Sequence, residues 1–209
     1  VEIDVQTTAD GELVVIHDGR VDRITNGSGE VASLPLEQIR ALDAGSHLSA
    51  EFAGAQIPTL VEALEFCRGR MEVVLEVKQA SVDAVVRAIN DCRAREYVII
   101  LTGVDWLAEL RGKDAGIRVM GQPWHVDEVI PVMDRLKPEY MLVRWKPGRQ
   151  TNTFYPHIIE ASHSRGAQIC QNVLGQKDNP EGIRDVIVAG VDIIETDRPD
   201  LVAQVAADM

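Results

Sequence analysis

The chain opens on VEIDVQTTADGELVVIHDGRVDR, residues 1–23, in which two aliphatic runs are separated by seven residues that include Asp10-Gly11. A parallel crossover needs a dozen or more residues, so LVVIHD (13–18) must fold back on VEIDV (1–5) as a hairpin arm, with Asp10-Gly11 supplying the turn. After residue 58 the rhythm changes. Short apolar runs rich in Val and Ile alternate with segments whose apolar residues recur at spacings of three and four. The barrel strands predicted are 1–5, 71–77, 97–101, 117–121, 140–145, 167–173 and 191–196, and the helices are 59–67, 81–93, 105–111, 126–136, 154–164, 180–189 and 199–207. Ser81 and Asp105 suit N-caps, and Pro199 suits the first turn of the last helix. Seven parallel strands with regular βα units predict an α/β fold, a TIM-type (β/α) barrel. One domain is expected over 1–209, carrying a β-hairpin and loop insertion at about 6–58. The strand count is one short of eight, and a seven-stranded barrel exposes two edges and leaves its interior layers unfilled. A first βα unit is therefore expected to precede this sequence.

Composition narrows the function classes. The 209 residues carry 21 basic and 33 acidic side chains, a formal charge of −12, so no broad cationic face for nucleic acid or anionic lipid is expected. There is no run of 18 apolar residues and hence no transmembrane segment. The partner expected is a small molecule, and any phosphate on it must be met by a metal or a few basic side chains. Cys67, Cys92 and Cys170 are scattered without ligand spacing and fit reduced core thiols. A homo-oligomer is left open. So is the compartment, cytoplasmic or periplasmic and secreted, because any signal would lie outside the sequence.

The candidate chemistry lies at strand ends. Glu2 and Asp4 share one face of the first strand by its period of two, and Glu76 and Lys78 stand in the same relation on LEVKQ. In a barrel these strand ends converge on one mouth. Three carboxylates make a hard-oxygen set suited to Mg²⁺ or Ca²⁺. Buried without such a cation, each would cost several kcal/mol. Lys78 can neutralise a substrate anion. His17, at the end of the hairpin arm, can exchange protons near neutrality, although a His-Asp pair at a strand end also suits a turn or cap. No GxGxxG, P-loop, GxSxG or HExxH is present.

VEIDVQTTADGELVVIHDGRVDRITNGSGEVASLPLEQIRALDAG, IPTLVEALEF, LEVK and GVDIIETDRPDLV together resemble the glycerophosphodiester phosphodiesterase family, whose fold is a phosphatidylinositol-phospholipase-C-like barrel. The ordered run of ExD, HD, PTL and ExK is what makes the resemblance specific. It implies Glu2, Asp4 and Glu76 as metal ligands, His17 as an acid/base histidine and Lys78 as a contact to phosphate. It also implies hydrolysis of glycerophosphodiesters to sn-glycerol 3-phosphate and an alcohol, through attack of the substrate's own 2-hydroxyl and a cyclic phosphate. The family's opening His-Arg strand is not in this sequence, in keeping with the strand count. The family's Trp-Thr-Val-Asn-like strand reads ICQNVLG here and keeps Asn172; Arg144 and Trp145 are individual to this chain and are placed near the alcohol pocket. Two other functions fit the same residues: a lipid phosphodiesterase of the sphingomyelinase D type, and a catalytically silent barrel that binds a phosphodiester or a protein.

Overall fold

The computed structural model describes residues 1–144 and 155–209. They fall into two compact units, residues 1–102 with 109–118, and residues 103–108 with 119–209.

The first unit contains β1 (Glu2–Thr7), β2 (Leu13–Val15), α1 (Leu36–Arg40), α2 (Leu60–Cys67), β3 (Val73–Gln79), α3 (Val82–Asp91) and β4 (Val98–Leu101). β1 and β2 form the expected antiparallel hairpin, with Val5 opposite Val15 and Thr7 opposite Leu13. Gly11 takes φ +87°, the left-handed conformation its turn requires, and its N–H donates to Thr8 O. β2 ends at Val15, so His17 lies just past the strand. β1 and β4 flank β3, and both pair with it in parallel. Every residue of β4 is buried, as a strand packed on both faces requires. Thr59 and Glu62 close a capping box at the start of α2, and the Ser81 hydroxyl caps α3 by accepting from Ala84 N.

The segment between β2 and α2 carries its own apolar cluster. Val14, Ile16, Val21, Val31, Ile39 and Ile57 are buried together, with Leu34, Leu36 and Leu42 packed against them. Asp10 ties this insertion to the hairpin turn, because its carboxylate accepts from Leu36 N at 3.0 Å.

The second unit contains β5 (Arg118–Gly121) from its second residue on, α5 (Val129–Leu136), β6 (Tyr140–Val143), α6 (Tyr155–His163), β7 (Gln168–Asn172), α7 (Pro180–Val188), β8 (Ile193–Glu195) and α8 (Pro199–Ala207). From β5 to β8 each strand pairs in parallel with the next. Asn179 caps α7, and Pro180 and Pro199 occupy first-turn positions, where a missing N–H costs nothing. Asp192 joins β7 to α6, accepting from Ile169 N at 2.7 Å and meeting His163 Nε2 at 2.8 Å.

A further helix, α4 (Val104–Lys113), corrects one expectation. Asp105 is not its N-cap but sits within the first turn. The carbonyl of Gly103 accepts from Leu107 N, so the helix begins earlier, and Asp105 instead pairs with Arg135 at 2.8 Å. All three cysteines are buried thiols. Burial, with a lesser push from Glu195, raises Cys170 to about 12 and makes it a poor nucleophile. Among the described residues no helix is long and apolar enough to cross a membrane.

Candidate active site

The first unit carries five of the predicted residues: Glu2 and Asp4 on β1, Glu76 and Lys78 on β3, and His17 just past β2. Asp4 and Glu76 are direct partners in the β1–β3 register, and Glu2 lies two residues earlier on the face of Asp4. One oxygen from each of Glu2, Asp4 and Glu76 lies within 4.8 Å of the others. At that separation each pair of unit charges repels by about 3 kcal/mol at an effective dielectric constant near 20. A strand pair carries such a cost only where a cation offsets it.

Lys78 provides one cation. Its Nζ stands 2.7 Å from Glu76 Oε1 and 3.1 Å from Asp4 Oδ1. The placement depends on an irregularity in the ladder: Val5 pairs with Val77 but Gln6 pairs with Gln79, so Lys78 is the residue the register skips. Bulges of this kind re-aim a side chain. Burial pulls the Lys78 ammonium toward the neutral form, but its hydrogen bonds to Glu76 and Asp4 and their charges outweigh burial and raise its pKa. The donor set remains the one a hard divalent ion prefers, carboxylate oxygens from two rigid neighbouring strands.

His17 and Lys78 line the same open depression of about 580 Å³, together with Asp18, Gly19, Arg20, Asp22 and Arg23. The backbone at His17 is tied to β1 twice. Ile16 N donates to Asp4 O, and the buried Gln6 side chain donates to His17 O at 3.1 Å. Asp18 does not act as a turn cap here. Its Oδ1 meets His17 Nδ1 at 2.8 Å, and Arg23 grips both of its oxygens through Nε and Nη2. The bond to Arg23, then the bond to His17, hold the Asp18 carboxyl well below the usual carboxylate range. A carboxylate so held is an acceptor, so the ring nitrogen facing it, Nδ1, is the donor of this contact.

The chain as a whole is similar to known proteins. Residues 1–174 match the Glycerophosphoryl diester phosphodiesterase family. The chain belongs to this family. A glycerophosphodiester phosphodiesterase of Caldanaerobacter subterraneus subsp. tengcongensis is 32% identical over 215 residues, covering 96% of this chain and 82% of that protein. The crystal structure of a glycerophosphodiester phosphodiesterase from Agrobacterium tumefaciens is similar at TM-score 0.82 and 30% identity, covering 97% of this chain and 85% of that one. A phosphodiesterase from Oleispira antarctica, solved in complex with its product sn-glycerol-3-phosphate, shares the fold at TM-score 0.85 and 20% identity, over 99% of this chain and 84% of that one. The α/β, TIM-type barrel class expected from strand and helix alternation is thus the class of these glycerophosphodiester phosphodiesterases.

The remaining predicted residues belong to the second unit. Asn172 ends β7, in register with Glu195 of β8. Arg144 follows β6, with its guanidinium 5.8 Å from the centre of the exposed Trp124 ring. With the Gln122 amide assigned so that its oxygen faces Arg144, that oxygen accepts from Nη2 at 2.8 Å. Trp145 lies outside the described residues. Of the lesser histidines, His47 meets Ala44 O, His125 uses its backbone N–H on Glu128, and His163 pairs with Asp192. Sequence reasoning missed Gln6, Asp18 and Arg23 as parts of the site. Only the HD dipeptide carried a signal for any of them.

Proposed function

We propose that the chain is a metal-dependent phosphodiesterase that hydrolyses glycerophosphodiesters to sn-glycerol 3-phosphate and an alcohol through a cyclic phosphate. One observation carries this reading: three carboxylates gather on the neighbouring strands β1 and β3, with Lys78 beside two of them, and His17 shares Lys78's depression. Glu2, Asp4 and Glu76 would hold Mg²⁺ or Ca²⁺. When bound, that ion supplies positive charge against the phosphodiester oxygens and favours ionisation of the attacking hydroxyl.

The residues of the chain do the rest. Lys78, once exchanged from the carboxylates, presents its ammonium to the phosphate. The glycerol 2-oxygen forms a new bond to phosphorus as the bond to the leaving alcohol's oxygen breaks, so a proton leaves the first oxygen and one must reach the second. His17 performs one of these transfers at Nε2, and water later opens the ring by the same exchange in reverse. Asn172, Arg144 and Trp145 are proposed as substrate contacts on the strength of the family resemblance alone.

The test is turnover of glycerophosphocholine and glycerophosphoethanolamine, followed by glycerol 3-phosphate release and phosphorus NMR. Activity should disappear with chelator, return with Mg²⁺ or Ca²⁺ and be lost in His17→Ala. Full turnover without a divalent ion would exclude the metal role, and a persisting cyclic phosphate would exclude the hydrolytic second step.

A further inference from the structure

The His17 side chain is 64% exposed, and so is Arg23, while Asp18 between them is 28% exposed. A solvent-exposed imidazole ordinarily samples several rotamers and both neutral tautomers. Here both ends of a three-residue chain are anchored. At one end Gln6 and Asp4 fix the backbone beside His17. At the other, Arg23 sits in a loop closed by Val21 N to Gly29 O, Thr25 N to Val21 O and Val31 N to Gly19 O, with Val21 and Val31 fully buried. Between these anchors runs Arg23 to Asp18 to His17, with a two-pronged guanidinium grip on the carboxylate. Arg20 lines the same depression but directs its charge elsewhere, to Asp22 at 3.1 Å and Glu30 at 3.9 Å.

We propose that Asp18 and Arg23 are positioning residues for His17. Asp18 holds the imidazole as the Nδ1–H tautomer with Nε2 presented to the depression, and Arg23 holds Asp18. This rests on the assignment of His17 as an acid/base group. A fork is needed at residue 23, because a planar guanidinium fixes the carboxylate plane where an ammonium fixes only a distance.

The experiment reads the ring and the rate separately. Nitrogen-15 shifts of the His17 ring, recorded on the substrate-free protein at a pH where the ring is neutral, should show Nδ1 protonated and Nε2 bare. Asp18→Asn should move the ring toward a mixture of tautomers and lower kcat by about tenfold to a hundredfold, with KM changed by no more than about twofold. Arg23→Ala should shift both readouts in the same direction by less, and Arg23→Lys should recover only part of kcat. Arg20→Ala should leave the ring spectrum as it is. An Arg23→Ala protein with an unchanged tautomer and kcat but a raised KM would overturn the proposal and make Arg23 a substrate contact. If His17→Ala were as active as the parent, the acid/base assignment would fail instead; the ring spectrum needs no turnover and reports on the positioning alone.

Discussion

Lys78 is the residue whose removal best probes the carboxylate cluster. In the absence of a divalent ion its ammonium is the cation nearest two of the three carboxylates, at 2.7 and 3.1 Å. Lys78→Met keeps the length of the stem and deletes the charge. Removing one partner from a fully buried ion pair costs about 3–5 kcal/mol. Side-chain exposures of 27% for Lys78, 18% for Glu76 and 11% for Asp4 reduce that, so about 2–3 kcal/mol is expected for the metal-free protein. The divalent ion then has more to do in the variant. At a hundredfold excess over its dissociation constant a bound ion adds about 2.7 kcal/mol to stability. Without a competing ammonium, Lys78→Met should bind the ion about tenfold more tightly, worth a further 1.4 kcal/mol or so at equal ion concentration. Urea denaturation with chelator, and again across an Mg²⁺ series, measures both quantities. The m-value should stay constant while the midpoint moves. A metal-free variant as stable as the parent would refute the counter-ion role, and so would a metal-dependent gain no larger than the parent's.

Three further outcomes follow from other contacts. Glu76→Gln should weaken Mg²⁺ or Ca²⁺ binding by at least about tenfold in calorimetry, because it removes one of three anionic ligands; an unchanged affinity would remove Glu76 from the ligand set. Burial alone would raise the Asp192 carboxyl, but the Ile169 N–H and His163 outweigh it and hold it below its usual value. Its stabilisation is thus present above the unfolded value near 3.9 and lost as pH falls through the lower folded one, so Asp192→Asn should cost about 1 kcal/mol at pH 7 and progressively less below about pH 4. Unfolding midpoints across pH measure this, and a gap that stays constant into the acid range would refute it. A Cβ added to Gly45 would lie 1.8 Å from Phe52 O and 2.7 Å from Phe52 C, both backbone atoms, so Gly45→Ala should lower stability by about 2–3 kcal/mol in thermal melts.

Much of the fold was legible because its signals are local. β4 is a continuous run of buried aliphatic residues, the pattern of a strand packed on both faces. Ser81 and Pro199 mark helix starts by chemistry confined to one turn. Asp105 misled because a carboxylate two positions past a helix cap looks in sequence like one at the cap, and the deciding atom is the carbonyl of Gly103. The carboxylate cluster was legible from period-two spacing on two strands. The support around His17 was not, because it depends on loop geometry: Gln6 reaches across the hairpin, and Arg23 returns to Asp18 from five residues on.

The register of β1 on β3 joins these observations. Hydrogen bonding alone would accept any pairing of two apolar strands, but this one sets Asp4 directly against Glu76, an opposition of like charges that destabilises a sheet. Sliding β3 by one residue would relieve it and would also turn Val73, Leu75 and Val77 out of the core, where each is at most 5% exposed. Apolar burial therefore imposes the register, and the charge opposition is a cost the fold carries at that point. The skipped residue in the ladder, Lys78, falls two positions after Glu76 and delivers an ammonium to both carboxylates. A bulge placed to make a smooth sheet would have no reason to sit beside the charged pair. One that brings an ammonium to both carboxylates accounts for its position, and for the charge of the residue that occupies it.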